Sequence, residues 1–289
     1  MSIEDLGRDP RAGWDFAGPV ADAAPGTTII GYRDTSGAGV DLRVAGTAAV
    51  TVLIEFGGRG LRVDDADGRR DLGGFVAGLS VEPMRIRAGN AECVEIRLSP
   101  IQAYALLGIA PRDLGRAALD LDEVWGGHAR ELRERLAAGR NWEERFAVTK
   151  SFLAQGDRAP AIDPEVLAGW NRILGSGGQV RIGELADYVG WSHKRLWSRF
   201  ESQIGLTPKR AAMLVRFRSA VDGLLAGRRA VDVALDCGYT DQAHLCRDVA
   251  LFANRSPGVL ATHYLPDIAR YRYRAWGKFF QYPEPARAR

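Results

Sequence analysis

The sequence predicts an α+β protein, with a small antiparallel β-barrel or sandwich in its first half and an all-helical second half. Short β-type runs between glycine- and aspartate-rich turns fill residues 27–98, and helical periodicity replaces them after Leu98. One helical pattern then occurs twice between residues 185 and 257. The chain has 289 residues, 46% of them apolar and 26% charged, which supplies a sizeable core and argues against wholesale disorder.

Charge is unevenly distributed along the chain. Residues 1–160 contain 20 Lys and Arg against 24 Asp and Glu, whereas residues 161–289 contain 19 against 12, a net charge of +7. A basic second half suggests a module that binds a polyanion, although many basic halves are simply solvated. No apolar run approaches the roughly 18 to 20 residues that span a bilayer, and the polar start lacks the order of a signal peptide. We therefore expect a soluble, cytoplasmic protein with no membrane partner.

The β-type runs follow a start of a different composition. Residues 1–26 are rich in Ala, Gly, Pro and Asp without a sustained period, which predicts a loose lead-in. Residues 27–115 are expected to form the β domain, because apolar runs recur there between tight turns such as Gly57-Gly58. The predicted strands are Ile29–Tyr32, Val50–Phe56, Leu61–Val63, Gly74–Leu79, Met84–Arg87 and Cys93–Leu98.

Helices are predicted from Leu98 onward. Ser99-Pro100 has the composition of a helix start, with Ser as N-cap and Pro in the first turn, and leads into Ile101–Leu107. Amphipathic patterns predict helices at His128–Ala138 and Trp142–Leu153. Residues 116–160 are thus expected to be a helical connector that contributes to dimerisation, with residues 154–160 as the best candidate linker.

The most informative feature is an internal repeat in the basic half. Leu185–Trp191 matches Val233–Tyr239 at an offset of 48: each has an apolar residue, Ala, two variable positions, an apolar residue, Gly and an aromatic residue. A small Ala lets two helices approach, and Gly permits a turn with positive φ. This pattern predicts a helix-turn-helix unit at each occurrence.

The second helix of each unit is predicted directly after the glycine turn. Ser192 caps a helix over about 192–200, and Thr240 or Asp241 caps one over about 241–252. Leu196 and Phe200 face inward in the first, as do Leu245 and Val249 in the second, at an offset of 49. Gly205 and Asn254 then end these helices, since Asn also tolerates the left-handed conformation.

One long helix, Pro208–Leu225, is predicted between the two units, with a Pro start and a Gly227 stop. Its length of about 27 Å, at about 1.5 Å per residue, is close to the roughly 34 Å between successive major grooves on one face of DNA.

These residues resemble a known family. The stretch Val166–Tyr264 resembles the DNA-binding domain of AraC/XylS transcription regulators, and its best-preserved parts are Gly238–Arg247 and Asn254–Pro257. The resemblance implies a double helix-turn-helix domain over residues 161–265, and more faintly a cupin-like sensor domain in the first half. The chain departs from the family pattern at three positions, which usually hold Phe, a basic residue and Gly: Val249, Ala250 and Asn254.

The resemblance also implies which residues contact DNA. In the first unit Lys194, Trp197 and Ser198 would contact bases and His193 the backbone, while Trp197 packing on a neighbouring helix and Lys194 as a solvated charge stay open. The corresponding residues of the second unit are Gln242, Ala243, Cys246 and Arg247.

Other side chains near these positions keep two interpretations each. Gln242 and Arg247 suit bidentate contacts to adenine and guanine, although Arg247 would equally suit a phosphate or a carboxylate near Asp248. His244 is more often a packing residue than a base reader. The remaining basic residues would contact phosphates or solubilise the linking helix: Arg195, Arg199, Lys209, Arg210, Arg216 and Arg218.

Three further features have open interpretations. The basic and aromatic tail at residues 266–289 either extends the DNA contact or packs on its own domain. Cys237 is expected to be inert core, and Cys246 lies one helix position from base contact. The apolar residues of the first half would line a cavity or form the barrel's own core, so no ligand residue is assigned: Tyr32, Phe56, Phe75, Met84 and Tyr104.

The leading prediction is a sequence-specific transcription regulator whose partner is double-stranded DNA. RNA polymerase, a small-molecule effector and a second copy of the chain are further expected partners. An architectural protein without base selection is one alternative. A barrel-borne enzyme is the other, but the sequence offers no catalytic set, and His128 is the single histidine before residue 190, so we expect no enzyme, metal or cofactor.

Overall fold

The computed structural model describes residues 13–21, 26–44, 47–79, 83–155 and 162–258. Two antiparallel sheets occupy the N-terminal part and helices the C-terminal part, which confirms the predicted α+β fold class. We refer to residues 14–120, which contain all ten described strands, as the β-region.

The larger sheet has six strands in the order β1-β2-β9-β4-β7-β10. Each hydrogen-bonded pair is antiparallel, so neighbouring strands run in opposite directions across the whole sheet. The strands are β1 (Trp14–Ala21), β2 (Thr27–Asp34), β4 (Val50–Glu55), β7 (Gly74–Ala77), β9 (Glu92–Leu98) and β10 (Leu119–Asp120).

The smaller sheet has four strands in the order β3-β8-β5-β6 and packs against one face of the larger sheet. Side chains of both sheets, such as Leu53, Phe75, Val63 and Ile86, form the core between them. The strands are β3 (Val40–Val44), β5 (Leu61–Asp65), β6 (Gly68–Leu72) and β8 (Met84–Ala88).

Helices cover the opposite face of the six-stranded sheet. Because both faces are covered, all six residues of β4 are buried and the strand shows no polar alternation. Ser99 Oγ accepts a hydrogen bond from Gln102 N at 3.1 Å, which confirms the predicted N-cap. The helices here are α1 (Pro100–Leu107), α2 (Leu121–Trp125), α3 (Gly127–Ala138) and α4 (Trp142–Leu153), with a 3-10 turn at Pro111–Leu114.

The predicted lead-in is wrong for the described residues 14–21, which form strand β1. Trp14 and Phe16 pack against the core between the sheets. The register with β2 shifts between Ala17 and Val20, so β1 has no regular alternation of apolar and polar residues. Strands β3 and β6 were also absent from the sequence prediction, because their outward positions carry charged residues that interrupt the apolar runs.

Six helices lie within the described residues 162–258. The linking helix α8 has the predicted bounds, Pro208–Leu225, with Thr207 as its N-cap. It ends in a Schellman motif, in which Gly227 N donates to Leu224 O and Arg228 N to Gly223 O. The others are α5 (Pro164–Gly175), α6 (Ile182–Val189), α7 (His193–Ile204), α9 (Ala230–Asp236) and α10 (Gln242–Ala253).

The basic and aromatic tail at 266–289 and most of the predicted linker lie outside the described residues. Within the described residues, no helix is both long and apolar enough to cross a lipid bilayer.

Candidate nucleic-acid interface

Two helix-turn-helix units share one backbone design. The first unit is α6, the turn and α7, and the second is α9, the turn and α10. Gly190 and Gly238 open the turns with φ of +70° and +72°. The same hydrogen bond follows in each: Trp191 N donates to Ala186 O at 3.1 Å, and Tyr239 N to Ala234 O at 2.9 Å.

Buried side chains hold the two helices of each unit together. Leu196 and Phe200 are completely buried in the first unit, and Leu245 and Val249 in the second, which confirms the predicted inward faces. Ala186 and Ala234 are also buried, as expected for the small residue at the helix crossing.

The ends of α7 and α10 are fixed by side-chain caps and left-handed residues. Ser192 Oγ accepts from Arg195 N at 3.3 Å, and Asp241 Oδ1 accepts from His244 N at 2.7 Å, so Asp241 rather than Thr240 is the second N-cap. Gly205 and Asn254 end the helices with φ of +86° and +50°, as predicted.

The outward face of α7 consists of His193, Lys194, Trp197 and Ser198. Among the described residues, three of these are exposed, while Trp197 is half-buried. Its ring stacks on the ring of His193 with centroids 5.8 Å apart. Trp197 thus contacts its own helix and keeps part of its surface in solvent.

Arg199 lies apart from that face. Its guanidinium binds the Asp163 carboxylate with two hydrogen bonds of 2.6 and 2.8 Å. These bonds hold the pKa of Asp163 below its ordinary value. Arg199 therefore joins α7 to the start of α5, and the geometry does not favour it as a DNA contact.

The outward face of α10 consists of Gln242, Ala243, Cys246 and Arg247. Cys246 is half-buried and the other three are exposed. No carboxylate of the described residues lies within 4 Å of the Arg247 guanidinium, and its Nε donates to Ala243 O over a long 3.4 Å. The alternative in which Arg247 binds a carboxylate near Asp248 thus has no support in this arrangement.

His244 is half-buried on α10 and packs against Tyr239, which is buried. The imidazole ring of His244 and the Tyr239 ring are nearly perpendicular, and their centroids are 5.1 Å apart, as the packing interpretation predicts. The Arg216 guanidinium lies 4.7 Å from the Tyr239 ring centre and 3.4 Å from the Asp248 carboxylate. Arg216 thus joins α8 to α10.

A family model described as a helix-turn-helix domain matches residues 185–263, which begin within α6 and extend past α10. The chain carries an AraC-type helix-turn-helix domain. A curated relative, an uncharacterized HTH-type transcriptional regulator of Bacillus subtilis (strain 168), is 33% identical over 66 residues. That match covers 23% of this chain and 24% of the relative, so the chain spans about a quarter of the length of this relative.

Two solved structures show looser similarity. The C-terminal domain of AraT from Geobacillus stearothermophilus has a TM-score of 0.34 and 17% identity, covering 37% of this chain and 91% of that one. ToxT from Vibrio cholerae O395 has a TM-score of 0.45 and 11% identity, covering 78% of this chain and 98% of that one. These overlaps are too loose to add to the assignment.

The basic residues of the AraC-type domain differ in exposure. Lys209 and Arg210 are exposed, and Arg195 is exposed with its guanidinium 4.3 Å from the Trp191 ring centre. Arg218 is 6% exposed, so it neither reaches a phosphate nor solubilises the helix, and both predicted roles are wrong. Its Nη2 donates to Asp222 Oδ1 at 2.9 Å, and burial lowers its pKa to about 10.

The β-region contacts α7 through helix α1 and through the turn Pro111–Leu114. The turn Pro111–Leu114 lies so close to Gly205 that a Cβ there would be 2.7 Å from Pro111 O. Leu114 and Ile204 are buried in one continuous core beside it. The turn contacts the C-terminal end of α7, and His193, Lys194 and Ser198 on the outward face of this helix are exposed.

The apolar residues singled out in the β-region do not line one cavity. Tyr32, Phe75 and Met84 lie in the core between the sheets, as the core interpretation predicts. Phe56 lies in the other core cluster, beneath the helices, and Tyr104 lies on α1.

The remaining reactive groups have ordinary surroundings. Cys237 is buried, and desolvation raises the pKa of its thiol, as expected for an inert position. In the described part of the chain, no three His, Cys, Asp or Glu side chains cluster as metal ligands.

Proposed function

We propose that the protein is a sequence-specific DNA-binding transcriptional regulator. The observation that carries this proposal is the repeated exposed face on α7 and α10, each presented by a unit of the same AraC-type domain. A helix of this kind reads base edges in the major groove with the side chains opposite its buried stripe. The proposal assigns the chain no catalytic activity and no cofactor.

The proposed arrangement places α7 and α10 in successive major grooves. Helix α8 has 18 residues, or about 27 Å at 1.5 Å per residue, and lies between the units. Base contacts would come from the outward faces, with Lys194 and Trp197 in one groove and Gln242 and Arg247 in the next. Arg195, Lys209 and Arg210 are exposed at the flanks and suit phosphate contacts.

The β-region is proposed to regulate the AraC-type domain through the turn Pro111–Leu114. A ligand or a second subunit that moves this turn changes the position of the C-terminal end of α7. Such coupling requires that the effector bind the two arrangements with different affinity. A small-molecule effector, RNA polymerase and a second copy of the chain belong to this proposal as partners.

The test is selection of preferred sites from a random DNA library, followed by titration of Arg247→Ala. We expect the variant to lose discrimination at one base position, worth about 1–3 kcal/mol, while other positions stay selective. Arg210→Ala is the matched control, because Arg210 is also exposed but lies on the linking helix. It should weaken binding to all DNA sequences equally and reduce the slope of log affinity against log salt by about 1, as expected for the loss of one phosphate contact.

Two results would contradict the proposal. Selection that yields no preferred sequence would favour the architectural alternative, since a regulator prefers its site by roughly 10³-fold or more over bulk DNA. A uniform loss in Arg247→Ala would make this residue a phosphate contact instead.

A further inference from the structure

The outward face of the four-stranded sheet is densely charged. Asp41, Arg87, Arg62 and Asp71 lie directly opposite one another across β3, β8, β5 and β6. The neighbouring row is Arg43, Arg85, Asp64 and Arg69. This charged face thus holds five arginines and three aspartates, although the first half of the chain is acidic overall.

All three carboxylates of this face have arginine partners, and two of them make short hydrogen bonds. Asp41 accepts from Arg85 Nε at 2.7 Å, and Asp71 accepts from Arg62 Nε at 2.8 Å. Each arginine lowers the pKa of its aspartate through these hydrogen bonds. The negative charges of Asp41 and Asp71 are therefore compensated by Arg85 and Arg62.

Arg87 makes no short hydrogen bond to a carboxylate. Its Nε and Nη2 atoms are buried and make no hydrogen bond to the described residues, and Nη2 is 3.9 Å from Asp64. Asp64 is also the partner of Arg69, at 3.4 Å. Arg87 lies directly opposite Arg62, and like charges in this position repel each other. An anion between them would remove that repulsion.

A cleft of about 540 Å³ opens at this position. Arg59, Arg62 and Arg87 line it, together with the backbone of Gly39, Gly60 and Gly89. Asp41 and Asp71 also line it, and both are hydrogen-bonded to arginines. Arg59 is exposed on the loop between β4 and β5, and no carboxylate of the described residues lies within 4 Å of it. Two arginines without a hydrogen-bonded carboxylate, Arg87 and Arg59, therefore face one cavity from different elements.

We propose that this cleft binds a small oxyanion ligand with at least two negative charges, of the phosphoryl or polycarboxylate class. Guanidinium groups match both kinds of oxyanion with paired N–H donors. Arg87 and Arg59 hold the ligand, and Arg62 remains bound to Asp71 and lines the wall. The site lies on the outside of the β-region and does not depend on the proposed function.

Calorimetric titration of the full chain tests the site. Inorganic pyrophosphate and citrate are the probes, and sodium chloride keeps the ionic strength constant, so that a general salt effect gives no signal. We expect saturable binding of at least one probe, and the stronger probe identifies the phosphoryl or the carboxylate source. Arg87→Gln is expected to weaken that binding at least about tenfold.

Two further variants complete the test. Arg43→Gln is the matched control, because Arg43 lies on the same charged face but outside the cleft lining, and it should leave the affinity unchanged within about twofold. Arg59→Gln should also weaken binding of the probe, and it changes an exposed loop residue rather than a strand residue. Absence of saturable binding up to about 10 mM of both probes overturns the proposal. Equal affinity of Arg87→Gln and Arg59→Gln to the wild type, with circular dichroism showing all variants folded, overturns it as well.

Discussion

The two helix-turn-helix units have the same backbone hydrogen bonds but are anchored differently at one equivalent position. Arg199 of α7 and Asp248 of α10 are 49 residues apart and occupy the same place after Leu196 and Leu245. Arg199 binds Asp163, and the two side chains are 49% and 24% exposed. Asp248 binds Arg216, and these side chains are 6% and 16% exposed. The equivalent position is thus a partly exposed arginine in the first unit and a buried aspartate in the second.

The difference separates the roles of the units. An exposed ion pair contributes little to stability, whereas a buried pair that loses one member leaves an uncompensated charge. The first unit has the exposed anchor and also contacts the β-region at Gly205. The second unit is held to α8 by the buried pair. A signal from the β-region would therefore reach the unit whose anchor is easier to rearrange.

Removing the buried anchor is expected to have the largest effect. Asp248→Ala leaves the Arg216 guanidinium without its carboxylate beside the Tyr239 ring, and the free energy of unfolding should fall by about 2–4 kcal/mol. Urea unfolding of the full chain measures this change. Arg199→Ala is the comparison at the equivalent position, with an expected loss of about 0.2–1 kcal/mol. Equal losses in the two variants would mean that burial does not distinguish the anchors.

Exchanging the residues that end α7 and α10 should have the next largest effect. Asn tolerates the left-handed conformation, so φ alone does not forbid Gly205→Asn. The new Cβ would however lie 2.7 Å from Pro111 O, and the β-region must shift, at an expected cost of about 1–3 kcal/mol. Thermal unfolding measures the loss.

The reverse exchange is the control for the turn itself. Asn254→Gly keeps the left-handed C-cap and should change the free energy of unfolding by less than about 0.5 kcal/mol. If Gly205→Asn were equally neutral, the contact between the turn Pro111–Leu114 and α7 would not constrain the protein.

Local patterns predicted most of the fold. The six predicted strands are apolar runs that can be recognised from neighbouring residues. The caps at Ser99 and Ser192 and the bounds of α8 also depend on residues close in sequence. Strand β1 was missed because its register shift interrupts the alternation, and β6 because Arg69 and Asp71 face outward. In both, pairing with a neighbouring strand rather than local hydrophobicity decides the structure.

The candidate site was predictable to a smaller extent. The buried stripe at Leu196 and Phe200 fixes which side of α7 faces outward, so the exposed face followed from spacing alone. The partners of the charged residues could not be predicted from spacing. Arg199 finds its carboxylate 36 residues away and Asp248 its arginine 32 residues away, distances at which no local pattern indicates a contact. The burial of Arg218 is likewise a result of how α8 packs.

The N-caps give the smallest expected difference between the units. Asp241 accepts at 2.7 Å with a carboxylate, whereas Ser192 accepts at 3.3 Å with a hydroxyl. A negative charge at a helix N-terminus adds a favourable interaction with the helix dipole, so Asp241→Ala should cost about 1 kcal/mol and Ser192→Ala about half of that. Urea unfolding at low and high salt measures both, and salt should narrow the gap because it screens the carboxylate but not the hydroxyl. A larger loss in Ser192→Ala, or a gap that salt leaves unchanged, would show that hydrogen-bond geometry rather than charge distinguishes the two helix starts.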